Sequence, residues 1–152
     1  MPKITRIAAR EILDSRAIPT IEVSLLVDNG AFSVASVPSG VSISQNEDVE
    51  LRDGEDNRYH GKGVLKAISN IETILSPALI GLEVSDQEKI DQIMLNLDGT
   101  PNQSKLGANS ILALSIATIK AAASSQKLPL FQYLQQRYRP APIYESQPLS
   151  LI

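Results

Sequence analysis

Three kinds of side chain between Pro38 and Val64 could do chemistry. Ser39 stands between Pro38 and Gly40, where a strand end could present backbone and hydroxyl oxygens outward, although an ordinary turn serine has the same neighbours. Glu47, Asp48, Glu50, Asp53, Glu55 and Asp56 follow closely. Carboxylates at that density could attract a hard cation, and a solvated charged loop has the same composition. His60 lies between Tyr59 and Gly61 and is the only histidine of the chain. An imidazole suits acid/base work, but one histidine cannot build a multi-histidine metal site, and a lone loop histidine is more commonly just solvated. Elsewhere there is no glycine-rich phosphate loop, no HExxH, no nucleophile elbow and no calcium loop of the required spacing.

The elements that must position these residues differ on either side. Lys3 to Leu13 alternates imperfectly and predicts a strand, followed by a turn cluster from Asp14 to Pro19. Thr20 to Val27 sets Ile21, Val23, Leu25 and Val27 on one face and Glu22 and Ser24 on the other, the period of a half-buried strand. Asn29-Gly30 then predicts a type I′ hairpin, with Ala31 to Val37 as the return strand. Pro38 to Val64 is a long polar connector, and connectors beyond about 12–15 residues in a compact domain are usually functional or disordered.

Downstream the period becomes helical. Val64, Ala67, Ile68, Ile71, Ile74 and Leu75 predict a helix from about Lys62 to Ser76, ending before Pro77. Ser85 and Glu88 have the spacing of a capping box that opens a second helix, with Ile90, Ile93, Met94 and Leu97 as its buried stripe and Gly99 just past its end. Gly107 to Gln126 is apolar nearly all round and needs cover on more than one side. A last short helix can begin at Leu128-Pro129 and carry Leu130, Phe131, Tyr133 and Leu134. The expected fold is therefore α+β, a three-stranded antiparallel meander followed by about four helices. One domain spans residues 1–138, and 139–152 form an irregular proline-containing tail.

Composition narrows the class. At 152 residues the chain is long enough for one real core, and with aromatic residues at 4% and no Trp that core must be aliphatic. No run is long and apolar enough for a membrane span, and the N-terminus lacks a signal-peptide pattern, so a cytoplasmic protein is expected. The absence of Cys excludes disulfides and thiol catalysis. A net charge of -3 gives no electrostatic reason to expect nucleic-acid binding.

Several ordered blocks resemble enolase. Arg10-Glu11-Ile12-Leu13-Asp14-Ser15-Arg16 with Pro19-Thr20 and Glu22-Val23 is similar to the opening of that family. The resemblance continues through Pro38-Ser39-Gly40, Glu50-Leu51-Arg52-Asp53-Gly54, Gly61-Lys62-Gly63-Val64, Asp86-Gln87, Leu97-Asp98-Gly99-Thr100, Ser104 to Asn109, Leu128-Pro129-Leu130 and Tyr133-Leu134. These blocks cover residues 4 to 134. They imply the family's N-terminal domain, a meander and a helical bundle, in agreement with the reading from periodicity.

What the family does is dehydrate 2-phosphoglycerate to phosphoenolpyruvate. The resemblance implies that the lysine base, the glutamate acid and the three magnesium-holding carboxylates belong to a β/α barrel beginning after about residue 140, in keeping with the Lys or His base and one or two Mg²⁺ ions general to that superfamily. This chain stops at Ile152, so it is expected to be inactive alone and, although Mg²⁺ is implied by the family, not to bind it unaided. By the same resemblance Ser39 ligates the second magnesium when a lid closes with a barrel present, Gly40, Val41, Ser42, Ile43 and Ser44 form that lid loop, and Arg10 and Glu22 meet the partner's barrel across a dimer interface. The lid departs from the family's Ser-Gly-Ala-Ser-Thr-Gly pattern at Val41, Ile43 and Ser44. Asp48 stands for a usual alanine, and Ala17-Ile18 replaces a usual Gly-Asn before Pro19. Val41 and Ser44 stiffen a loop that must swing.

Two roles follow. One is an enolase-like lid and dimerisation domain that works with a barrel; the other is a non-catalytic interaction module associating with itself or with a full-length enolase. The apolar third helix favours partners in both, since contiguous exposed apolar surface usually marks an interface.

Overall fold

The computed structural model describes residues 1–38, 40 and 48–138. Strands β1 (Ile4–Leu13), β2 (Pro19–Val27) and β3 (Phe32–Ser36) form an antiparallel sheet in the order β1-β2-β3. Helical segments α1 (Leu65–Asn70), α2 (Ser76–Leu79), α3 (Gln87–Asp98), α4 (Ala108–Ser125) and α5 (Leu130–Arg137) follow. This is the meander and helical bundle that the residue periods predict.

Alternation in β2 sets the layers. Ile21, Val23, Leu25 and Val27 are at most 1% exposed and point inward, while Glu22 and Ser24 lie on the outer face across from Arg10 and Ala8 of β1. The inner face packs on α4, which presents Ala113, Leu114, Ala117 and Ala121, all fully buried. Alanines let backbone approach backbone: the Ser33 hydroxyl donates to the Ala117 carbonyl (2.7 Å) and the Ser110 hydroxyl to the Ala67 carbonyl (3.2 Å). The buried apolar set among the described residues is aliphatic apart from Met94 and Tyr133. The cover on more than one side that the apolar α4 requires is present: it lies between the sheet and α1, α3 and α5, and Leu112 is its one strongly exposed large apolar side chain.

Three local expectations need correction. Asn29-Gly30 does not make a type I′ turn, because Asn29 is not at positive φ. Gly30 alone is (φ 85), its N–H donates to the Val27 carbonyl (2.9 Å), and Val27 N–H donates to Ala31 (2.9 Å). That is a three-residue loop in which glycine follows an ordinary turn as a bulge. The Asn29 side chain instead donates to the Ser125 hydroxyl (2.8 Å) at the end of α4.

The first helical run does not stop before Pro77. It passes through a π-helical segment, Ile71–Leu75, into α2, and Ser76 N–H donates to the Ile71 carbonyl five residues back. Proline lacks a donor and crowds the carbonyl four residues back, and a π turn relieves that crowding by widening the helix. Nor is there a capping box at Ser85. The Ser85 hydroxyl donates to Glu83 Oε1 (2.5 Å), and the N-cap position belongs to Asp86, whose side chain makes no capping hydrogen bond. Gly99 does take the left-handed position after α3 (φ 68).

Candidate functional site

The connector is built around carboxylates with fixed partners. Glu11, on β1, accepts from both Arg58 terminal nitrogens (Nη1 at 3.0 Å) and from Val64 N–H (2.8 Å). Arg58 holds the Glu11 carboxyl below the usual carboxylate range, against an upward push from burial, with the Val64 N–H adding to the lowering. Asp53, 8% exposed, accepts from Leu65 N–H (3.0 Å) and Lys66 N–H (2.8 Å), so a residue 12 positions upstream caps α1 in place of its uncapped Val64. Gly63 lies so close to this pair that a Cβ would collide with Asp53 Oδ2 and Arg58 Nη1.

Further along, Asn109 brackets the connector. Its Oδ1 accepts from Leu51 N–H (3.0 Å) and its Nδ2 donates to the Leu51 carbonyl (3.1 Å). Leu51 then crosses Gly107 so closely that a Cβ on the glycine would fall 2.6 Å from Leu51 Cβ, and Gly107 has φ 95. Asp98 finishes this corner. Burial pushes its carboxyl up, but donation from the Thr100 hydroxyl and from Leu106 and Thr100 N–H outweighs that and leaves it below the usual range.

Both flanks of residues 41–47 are anchored by this framework. Gly40 N–H donates to Glu50 Oε1 (2.6 Å), and Glu50 Oε2 accepts from Arg52 (2.8 Å), which also donates to the Lys62 carbonyl (2.8 Å). On the other flank Val49 N–H donates to Asn102 and its carbonyl accepts from Ala108, both at 2.9 Å. Ser39, Val41, Ser42, Ile43 and Ser44 themselves lie outside the described residues.

The remaining candidates separate. Of the acidic group, Glu47 lies outside the described residues, Asp53 and Glu50 are committed to the contacts above, and Asp48, Glu55 and Asp56 are exposed. Among the described residues no three His, Cys, Asp or Glu side chains form a group able to hold a metal ion. His60 is exposed in a tight turn, Tyr59–Gly61, at φ 51. Arg10 and Glu22 pair with each other across β1 and β2, Arg10 Nε donating to Glu22 Oε1 (2.6 Å), with Ser36 donating to Oε2 (3.1 Å). They border a shallow groove of about 260 Å³ on the outer sheet face, with Phe32 and Val34.

Sequence reasoning missed Arg58, Asp53 and Asn109 as organising residues. The signal was faint: an asparagine just inside an apolar helix after a glycine, and a charged pair 47 positions apart.

Comparison with known proteins agrees with this architecture. Residues 4–134 match the family described as the enolase N-terminal domain. The enolase of Malacoplasma penetrans (strain HF-2) is 50% identical over 134 residues, 88% of this chain and 30% of that protein. The chain therefore spans about a third of the length of that curated relative. No helix among the described residues is long and apolar enough to cross a membrane. With its meander, its helical bundle and this match along most of its length, the chain belongs to the enolase family as an N-terminal domain.

Proposed function

We propose that this chain is the lid and dimer-contact domain of an enolase, acting in the dehydration of 2-phosphoglycerate together with a catalytic barrel. The observation that carries the reading is the anchorage of the two segments that flank residues 41–47. Glu50 holds Gly40 on one side and Asn102 and Ala108 hold Val49 on the other. In that role the chain binds and covers; abstraction of a proton from substrate belongs to groups in the barrel. Ser39 would contribute one neutral oxygen to a magnesium ion whose charge the barrel compensates.

Arg10 and Glu22 would supply the dimer contact, exchanging their mutual pair for partners on the neighbouring barrel. The interaction-module alternative draws on Val41, Ile43 and Ser44, which depart from the family's lid pattern. The test is affinity capture of the tagged chain from its native lysate, with the retained proteins identified and the eluate assayed for 2-phosphoglycerate dehydration. A barrel-bearing polypeptide with activity is expected. Recovery of the chain by itself, or turnover by the purified chain free of host enolase, would overturn the reading.

A further inference from the structure

Asn29-Gly30, at the tip of the hairpin between β2 and β3, is the one place in the sequence where glycine follows asparagine. That dipeptide carries chemistry of its own. The backbone nitrogen of the following residue can attack the side-chain amide carbon, and glycine, having no side chain, leaves the approach open. Both residues are exposed, so water has access to the tip.

In the fold every atom that must react is engaged. Gly30 N–H donates to the Val27 carbonyl (2.9 Å), Asn29 Oδ1 accepts from Ala31 N–H (3.1 Å), and Asn29 Nδ2 donates to the Ser125 hydroxyl (2.8 Å). The last of these leaves the loop and ties the hairpin tip to the end of α4 across 96 positions. Nδ2 also lies 3.5 Å from the Ser125 carbonyl, a long contact at the negative end of the helix dipole. Ring closure at Asn29 therefore requires the tip to come away from α4.

We infer that Asn29 is a self-modification site, converted to aspartate and isoaspartate when the hairpin tip lifts from α4. The Gly30 nitrogen bonds to Asn29 Cγ, its proton leaves with the side-chain amine as ammonia, and a cyclic succinimide remains. Water then opens either ring carbonyl, with no oxidant, reductant or enzyme required. Aspartate can still accept from the Ser125 hydroxyl, but it sets a carboxylate next to Asp28 and against the C-terminal end of α4, where negative charge is disfavoured. Isoaspartate adds a methylene to the backbone of the three-residue loop that Val27 and Ala31 close, and removes the amide that held Ser125. Either product weakens the tie between sheet and helix, and the change is irreversible. The site belongs to this chain by itself and does not depend on a barrel.

In the test the purified full chain is held in warm, mildly alkaline buffer, folded in one sample and unfolded by urea in another. Peptide mapping that separates asparagine, aspartate and isoaspartate follows each site with time. Conversion at Asn29 is expected in both samples, about tenfold or more slower in the folded one, with Asn57, exposed but followed by Arg58, lagging far behind. Ser125→Ala removes one hydrogen bond and should speed conversion in the folded chain about two- to tenfold while leaving the urea rate unchanged. Ser125→Thr, which keeps a hydroxyl, should restore the parent rate. Asp53→Ala loosens the connector and not the hairpin, so its folded rate should stay near the parent's; acceleration matching that of Ser125→Ala would mean that global unfolding exposes Asn29, and would overturn the inference. Equal rates with and without urea, no conversion in urea, Asn57 converting as fast as Asn29, or a folded rate indifferent to Ser125→Ala would overturn it as well.

Discussion

Glu11 on β1 and Arg58 in the connector are joined side chain to side chain across 47 positions, with Arg58 Nη1 3.0 Å from Glu11 Oε2. That pair closes the loop carrying Asp53 and Gly63 onto the sheet. Because the Glu11 carboxyl is held below its ordinary value by Arg58, and Asp98 is also held low by its hydrogen bonds, the unfolded chain binds more protons than the native one in mildly acidic solution. Stability from these groups is therefore complete above the ordinary carboxylate range of about 4 and is lost as pH falls through the depressed native values. Thermal melts between pH 7 and pH 3 should show it. Glu11→Gln should lower the melting temperature at pH 7 and flatten its fall toward pH 3; an unchanged slope would remove Glu11 from the account.

Asp53 gives a sharper test of the connector. Its carboxylate takes the first free N–H groups of α1 from outside the helix. Asp53→Ala leaves them without that acceptor and is expected to destabilise by about 1–3 kcal/mol in urea melts. Asp53→Asn keeps one acceptor oxygen and should recover part of the loss. Equal losses in both variants would mean that the carboxylate charge beside Arg58, and not the cap, is what matters.

Ala17 occupies left-handed backbone, φ 57, in the turn between β1 and β2. An alanine there carries a steric cost of about 1–2 kcal/mol that glycine avoids. Ala17→Gly is therefore expected to stabilise the chain by about 1 kcal/mol, less the entropy glycine adds to the unfolded state. A denaturation midpoint at or below that of the parent would contradict this.

The same departures show what residues reveal and what they hide. Ile21, Val23, Leu25 and Val27 declare their sheet because a period of two has one solution once a single face is buried. The buried positions of α3, Ile90 and Met94, likewise follow from the helical period. Turn geometry was less legible, since Asn29-Gly30 closes a three-residue loop as readily as a two-residue one when only the glycine must be left-handed. Ser85 looked like a cap, but its hydroxyl had a nearer acceptor in Glu83. The connector was least legible of all. Its contacts join Glu11 to Arg58 and Leu51 to Asn109, and pairings of that reach have no period to announce them.

Gly107 tests the other end of the connector. It has a backbone conformation that residues with a Cβ avoid, and a Cβ there would press on Leu51. Gly107→Ala is expected to destabilise by about 2–4 kcal/mol, combining backbone strain with overpacking. Hydrogen exchange should localise the damage to Val49 and Leu51 before β2 is affected. Uniform loss of protection across the sheet would place the connector inside the global folding unit.

The outer sheet face separates a structural pair from an interface. Arg10 is 73% exposed and Glu22 18%, and they face each other directly. A cross-strand pair this open contributes about 0.2–1 kcal/mol to an isolated chain, so Arg10→Ala and Glu22→Ala should each shift urea midpoints slightly and should not add, because either change removes the same contact. If these residues instead serve a barrel in a dimer, the double variant will weaken assembly far more than folding, and the sedimentation coefficient of the captured complex will fall while the melt of the free chain stays close to that of the parent. Non-additive folding losses with no effect on assembly would assign the pair to the sheet alone.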